Sequence, residues 1–305
     1  MSAITINDLH KSYGPVKAVD GISLEVEEGE IFGFLGPNGA GKTTTIEIVE
    51  GYRKPDSGIV RILGLNPFKQ GYQIKERIGI MLESTSIYPD LRVGEVVALF
   101  AGYYRQTANY LSLLDMIALQ DKMKCPVREL SGGQKQKLAF VLALINDPEL
   151  LLLDEPTTGL DVQTRRYVWE LIQQYRDKGK TVFLTTHYIE EAEALCDRVA
   201  IIDYGTIIAL DTPRRLMANL DVEQRIEFVT DNAIDAQKIE ETEGVQKVVE
   251  TRRGEFTLYV QQPQRVLMQL TVLAKAEGWN LSDLRVEGAT LEDVFLNLTG
   301  RRMRE

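Results

Sequence analysis

Two short stretches of this 305-residue chain carry residue types at the spacing that phosphate chemistry requires. The first, Gly36-Pro37-Asn38-Gly39-Ala40-Gly41-Lys42-Thr43, satisfies G-x-x-x-x-G-K-[ST]. Glycines leave no Cβ between backbone N–H groups and an anion, so several amides can converge on one phosphate. A helix opening here adds its unpaired N–H groups and the positive end of its dipole. Lys42 would supply a mobile cation for the terminal phosphates, and the Thr43 hydroxyl can ligate Mg2+, with Thr44 beside it in the nucleotide-binding set. The second stretch, Leu150-Leu151-Leu152-Leu153-Asp154-Glu155, reads as a buried central strand with two carboxylates where it emerges. Asp154 would hold Mg2+, directly or through water, and Glu155 would orient and polarise the attacking water. The two stretches together imply a P-loop nucleotidase and nothing narrower.

A third stretch narrows the reading. Leu130-Ser131-Gly132-Gly133-Gln134 again offers a hydroxyl, two glycines and a helix start, which is a second anion site. One nucleotide does not need two such sites in one chain. A head-to-tail pair would use both, each copy covering the nucleotide held by the other. On these residues the chain resembles the ATP-binding-cassette ATPases, whose signature reads LSGGQ, and the resemblance runs from residue 3 to about 220. It implies that Tyr13 stacks on the adenine ring, that Asp161 meets the opposing subunit, and that His187 contacts the γ-phosphate. It also implies ATP held between two subunits, with Glu155 acting on water and His187 stabilising the transition state. Without the resemblance, Tyr13 is a half-buried aromatic, His187 a histidine closing a core strand, and Asp161 the N-cap of a helix from Val162. The family usually carries Gln where this chain has Glu83; either Glu83 keeps the Mg2+-sensing role or it is a solvated loop acid one position out of alignment.

Not every cassette ATPase transports. A single cassette without a long heptad run or a basic patch argues against translation and chromosome roles. The stretch Tyr88-Pro89-Asp90-Leu91-Arg92-Val93 leads into a helical insertion at about 88–147, which in transporters of the family receives a short helix from the permease. Leu291-Glu292-Asp293-Val294-Phe295, followed by Leu298-Thr299-Gly300, resembles the tail of single-cassette subunits of bacterial multidrug and ABC-2 type exporters. The expected partners are thus an integral-membrane permease on another chain and a second nucleotide-binding subunit, at the cytoplasmic face of the membrane. The alternative is a soluble cassette ATPase with a regulatory role and no permease.

The elements that must position these residues follow from apolar spacing. Strands are expected at 3–10 and 22–28, joined through Ser12-Tyr13-Gly14-Pro15, and at Ile31–Leu35, Ile59–Leu63, Ile78–Leu82, Leu150–Leu153, Thr181–Leu184, Val199–Ile202 and Ile207–Leu210. Helices are expected from Thr43 to Glu50, from Val93 to about Ile145 with a break at Pro126, and from Val162 to Lys178. Strands alternating with helices imply an α/β fold: a P-loop ATPase core with an antiparallel β subdomain and a helical insertion. Residues 1–220 would form it. Residues 221–305 read as β-α-β-β-α-β plus a closing helix, a small α+β module of ferredoxin-like type without chemistry of its own.

Composition agrees with these readings. A hydrophobic fraction of 44% and a charged fraction of 26% predict a packed core, and the net charge of −10 argues against nucleic acid as a partner. The longest apolar run, Leu138 to Ile145, falls short of the roughly 18 residues a membrane span needs, and no signal peptide opens the chain. Cys125 and Cys196 lack metal-ligand spacing and read as reduced thiols.

Overall fold

Apolar runs without alternation belong in sheets covered on both faces, whereas alternating runs belong in sheets with one wet face. Both kinds occur here. The computed structural model describes residues 2–83, 87–218, 224–230, 236–252 and 254–300. In chain order the first elements are β1 (Ser2–Tyr13), β2 (Val16–Glu27), β3 (Ile31–Leu35), α1 (Lys42–Val49), β4 (Ser57–Ile62), α2 (Gly71–Lys75) and β5 (Ile78–Met81). Then come α3 (Val93–Ala101), α4 (Tyr110–Met116), α5 (Gly132–Ala143), β6 (Leu150–Asp154), α6 (Val162–Asp177), β7 (Thr181–Thr186), α7 (Ile189–Leu195), β8 (Arg198–Asp203) and β9 (Thr206–Asp211).

Strands β3, β6 and β7 are buried from end to end and lie inside a six-stranded sheet of order β5-β6-β7-β3-β8-β9. All its pairs are parallel except β8 with β9. The half-buried strands β1, β2 and β4 form a separate antiparallel sheet of order β2-β1-β4. One core cluster joins the sheets, with Ile4, Ile6 and Leu24 from the smaller and Phe32, Leu152 and Phe183 from the larger. Phe32 and Phe183 stack with centroids 5.8 Å apart. The P-loop α/β core with its antiparallel subdomain is thus present, although β1 and β2 run several residues beyond their expected ends.

The insertion departs from the sequence reading. A helical stretch broken only at Pro126 is replaced by α3, α4 and α5 with two 3-10 turns, Gln120–Lys122 and Val127–Glu129. The chain leaves α3 at Gly102, and α4 restarts where Asn109 accepts N–H bonds from Leu111 and Ser112 at 3.1 and 3.4 Å. Ala118, at φ 54°, reverses the chain soon after α4. Helical spacing survives in α3, which buries Val93, Val96 and Val97, whereas α5 buries Leu138 to Ala143 without a gap, so spacing alone does not show the breaks. The helices α2 and α7 were not anticipated, being too short for a period to develop.

The described residues as far as Pro213 form one compact unit, and those from Arg214 onward form another. The boundary expected after residue 220 lies outside the described residues. The remaining elements are α8 (Pro213–Ala218), β10 (Gln224–Thr230), α9 (Ala236–Glu240), β11 (Val245–Arg252), β12 (Glu255–Val260), α10 (Pro263–Glu277), β13 (Leu281–Glu287) and α11 (Leu291–Thr299). The four strands pair antiparallel in the order β11-β12-β10-β13. The second core holds Ile226, Phe228, Phe256, Leu258, Val266 and Leu270, with Phe228 and Phe256 stacked at 5.5 Å. Among the described residues no helix is long and apolar enough to cross a membrane.

Candidate nucleotide site

Parallel register aligns the strand ends. Met81 lies opposite Leu153, Asp154 opposite Thr185, and Leu35 opposite Thr186. The residues that follow (Glu83, Glu155, His187 and Gly36) therefore leave the sheet at one edge, the carboxyl edge at which open α/β sheets bind ligands.

Close packing makes two glycines of the cradle obligatory. A Cβ on Gly36 would stand 2.4 Å from the Ile202 carbonyl oxygen. On Gly41, which has φ 106°, it would stand 2.2 Å from that of Ala18. Gly41 also caps α1 without a side chain, so the amides of the first turn have no side-chain acceptor of their own. These features fit the binding of an anion by backbone.

Lys42 is held by partners within the protein. Its side chain is 4% exposed and pinned. Its Nζ donates to the carbonyls of Gly36 and Pro37 at 2.7 and 3.3 Å and pairs with Glu155 Oε1 at 3.1 Å. Glu155 is 6% exposed, with a left-handed φ of 50°. Its other oxygen, Oε2, accepts from Thr158 Oγ1 at 2.9 Å and from His187 Nδ1. Burial pushes this carboxyl up, but Lys42, Thr158 and His187 outweigh it and hold the group below the usual range. Asp154 goes the other way. Burial raises it, with Glu155 and Glu83 adding repulsion, against a hydrogen bond donated by Thr185. The Thr185 hydroxyl also accepts the Glu155 N–H at 3.0 Å.

A cavity of about 260 Å3 is lined by Tyr13, Asn38, Gly39, Gly41, Lys42, Thr43, Thr44, Glu83 and Glu155, together with Ala18. Residues scattered over 140 positions of sequence thus meet at one hollow. Thr43 is exposed and Ala40 buried. Tyr13 is 41% exposed, and Arg53, held by Glu47 at 2.5 Å, places its guanidinium carbon 5.3 Å from the ring centre. Ala18, Thr158, Thr185 and Glu50 were missed by the sequence reading. Only the Thr185-Thr186 pair closing a buried strand gave any sign, since a hydroxyl there needs a partner. Glu50, at the end of α1, is buried, and burial beside Asp154 and Glu47 pushes its carboxyl up to about 8.

The signature residues form a second group that does not line this cavity. Ser131 Oγ accepts from the Gln134 N–H at 3.2 Å, and Gln134 Oε1 accepts from the Ser131 N–H at 2.9 Å, so both cap α5. Gly132 and Gly133 make its first turn, and a Cβ on Gly133 would come within 3.1 Å of Thr164 Cγ2. Thr164 is also where Asp161 caps α6, with Oδ1 accepting its N–H at 2.9 Å and Oδ2 its hydroxyl at 2.8 Å. Ser131 to Gln134 and Asp161 are thus neighbours of one another. Gln136 ties the group to the loop after the Asp154-Glu155 pair, donating to the Pro156 carbonyl at 2.7 Å.

Gly41→Ala tests the cradle. The strained backbone and the contact with Ala18 should cost about 1–3 kcal/mol of stability and abolish nucleotide binding measured by fluorescent-analogue titration.

Comparison with known proteins agrees with the geometry. The family model described as ABC transporter matches residues 19–158. The chain is similar to the Nod factor export ATP-binding protein I of Ralstonia nicotianae, with 37% identity over 309 residues covering 99% of this chain and 95% of the relative. It is similar to the protein of that name from Paraburkholderia xenovorans at 38% identity over 311 residues, covering 100% and 99%. Among solved structures it resembles an ATP-binding subunit of an ABC transporter, with TM-score 0.66 and 26% identity over 71% of this chain and 92% of that one. It also resembles a dimeric ATP-binding cassette in a post-hydrolysis state bound to ADP and Pi, with TM-score 0.63 and 28% identity over 68% and 98%. With the phosphate cradle, the paired carboxylates and full-length relatives in agreement, the chain belongs to the ABC transporter family, as an ATP-binding subunit and an ATPase.

Proposed function

We propose that this subunit powers export through a membrane permease on a separate chain, working at the cytoplasmic face of the membrane as one of two cassettes in a head-to-tail pair. The observation that carries the pairing is the division of the site. The glycine loop, Lys42 and Glu155 line one cavity, while the signature turn and Asp161 stand together outside it. Two copies related by a two-fold axis would bring each signature turn to the other's nucleotide. The relatives' printed names, which speak of export, support the direction of transport. Leu82, Tyr88, Leu99 and Tyr103 are exposed around the insertion, and large apolar side chains kept in water favour a partner surface for the permease.

In the proposed site, Gly36 to Gly41 and the first turn of α1 would hold the phosphates, with Pro37, Asn38 and Ala40 shaping the loop and Thr44 at its side. Tyr13 would stack on the adenine. Lys42 would turn from Glu155 to the terminal phosphates. Glu155 would then take the proton of the attacking water, while His187 steadies the charge that develops on the γ-phosphate. The residues present also fit Mg2+. Asp154, Glu83 and the Thr43 hydroxyl are hard oxygen donors, and the carboxylates here outnumber Lys42. Among the described residues no three acidic, histidine or cysteine groups make a ready-built metal cluster. That suits an ion held by one or two protein groups plus substrate phosphates. Bound there, Mg2+ would neutralise phosphate charge.

Glu155→Gln should keep ATP binding, slow hydrolysis by about a hundredfold or more, and give a stable ATP-dependent dimer on a sizing column. A variant that binds ATP but stays monomeric would contradict the head-to-tail pair. Glu83→Gln should raise the Mg2+ concentration needed for half-maximal turnover; an unchanged Mg2+ dependence would make Glu83 a mere loop acid. The transporter reading is tested by pull-down of the tagged chain from detergent-solubilised membranes of its own host. A polytopic membrane protein should be recovered in near-equal amount, whereas recovery of soluble partners alone from an active preparation would favour a regulatory ATPase.

A further inference from the structure

Behind the catalytic pair lies a charged side chain that the chemistry above does not use. Glu191, on α7, is 0% exposed. Its Oε1 accepts two hydrogen bonds from distant parts of the chain: Thr157 Oγ1 at 2.7 Å and Trp169 Nε1 at 2.9 Å. Burial pushes its carboxyl up, against the pull of its hydroxyl and indole donors and of the Arg165 charge. A carboxyl this deeply buried is costly to keep unless its contacts matter.

Its partners share a pattern. Thr157 is two residues beyond Glu155 in the loop that runs on to Asp161. Trp169 stands on α6, whose first turn Asp161 caps. Glu191 itself is four residues beyond His187, so the chain after Thr186 and the Glu155 loop meet at two side-chain contacts. They meet once at the catalytic pair, through His187 Nδ1 and Glu155 Oε2, and again at Glu191 with Thr157. A further contact runs alongside, with the Arg165 guanidinium 4.4 Å from the centre of the Tyr188 ring and that ring 4.1 Å from His187. Three segments (the loop after Glu155, the middle of α6 and the helix α7 that follows His187) are therefore joined at one buried carboxyl.

We infer that Glu191 is a positioning residue: it holds the His187 turn against the Glu155 loop and ties both to the helix that opens at Asp161, so that displacement of Asp161 by a partner is felt at the catalytic pair. Glu191 does not line the cavity at the glycine loop. The cradle that binds phosphate is built from other residues, so binding and turnover separate. The inference rests on Glu155 and His187 being the hydrolytic pair, and Glu155→Gln and His187→Ala are run beside it. Substantial hydrolysis in those two would overturn that assignment, whatever the Glu191 variants do.

The experiment is steady-state ATPase kinetics of full-length variants, with fluorescent-ATP titration and thermal melts. Glu191→Leu keeps the volume and strands the Thr157 and Trp169 donors. It should lower kcat by about ten- to a hundredfold, leave KM and nucleotide affinity near those of the parent, and weaken the ATP-dependent dimer in a Glu155→Gln background. Glu191→Gln keeps an acceptor for both donors and should restore most of kcat. Thr157→Val, which is less disruptive should Glu191→Leu fail to fold, should lower kcat in the same way, and adding it to Glu191→Leu should bring little further loss. The inference is overturned if a folded Glu191→Leu or Thr157→Val keeps parental kcat, if folded Glu191→Gln is as impaired as Glu191→Leu, or if the losses simply add.

Discussion

The alignment of four neighbouring parallel strands is the constraint on which the site depends. Each strand of β5-β6-β7-β3 contributes its next residues at the same level, so Glu83, the Asp154-Glu155 pair, His187 and the glycine loop arrive within reach of one another. A one-residue slip of β6 would turn Asp154 to the opposite face of the sheet and break its contact with Thr185. The unbroken burial of β3, β6 and β7 is what prevents such a slip, because every residue of those strands is already placed against a filled core. The apolar strands and the polar residues at their ends are thus one device.

The core and the cradle were legible in sequence because each rests on short-range information. A glycine pattern followed by Lys-Thr and four leucines followed by two acids are local signals, and the structure has the strand and helix that each one needs. The insertion was not legible to the same degree. Gly102, Asn109 and Ala118 end or restart helices there, and the apolar spacing alone does not mark them. Nor could the sequence disclose that Lys42 lies against Glu155, since 113 residues separate them and either one alone reads as solvated or ligand-bound. The same holds for Thr157, Trp169 and Glu191. Each is unremarkable in its own stretch, and their meaning comes from meeting at one point.

Electrostatic balance explains how so many carboxyls share one small region. Glu83 and Glu155 line one cavity with Lys42, Asp154 precedes Glu155, and Glu50 lies near enough to Asp154 to feel its charge. Were all four ionised, repulsion would push the strand ends apart. Glu50, raised to about 8, keeps its proton at neutral pH, and Asp154 is raised by the same burial. Lys42 and His187 keep Glu155 charged. Unequal neighbours give Glu155 its charge and push Asp154 and Glu50 the other way, which is how proximity among acids becomes a division of roles.

The contact between Lys42 and Glu155 has a consequence for an idle subunit. While the lysine engages it, the carboxylate on the proposed reading is no free base, and the lysine is no free cation for a stray anion. Any incoming phosphate must therefore replace an existing partner, so its electrostatic gain is only the difference between two pairings. A lone inorganic phosphate has little with which to make up that difference, whereas on the proposed reading a nucleoside triphosphate would also engage the whole loop and the aromatic at Tyr13. The pairing is in this sense a latch that yields only to a ligand with several points of purchase at once.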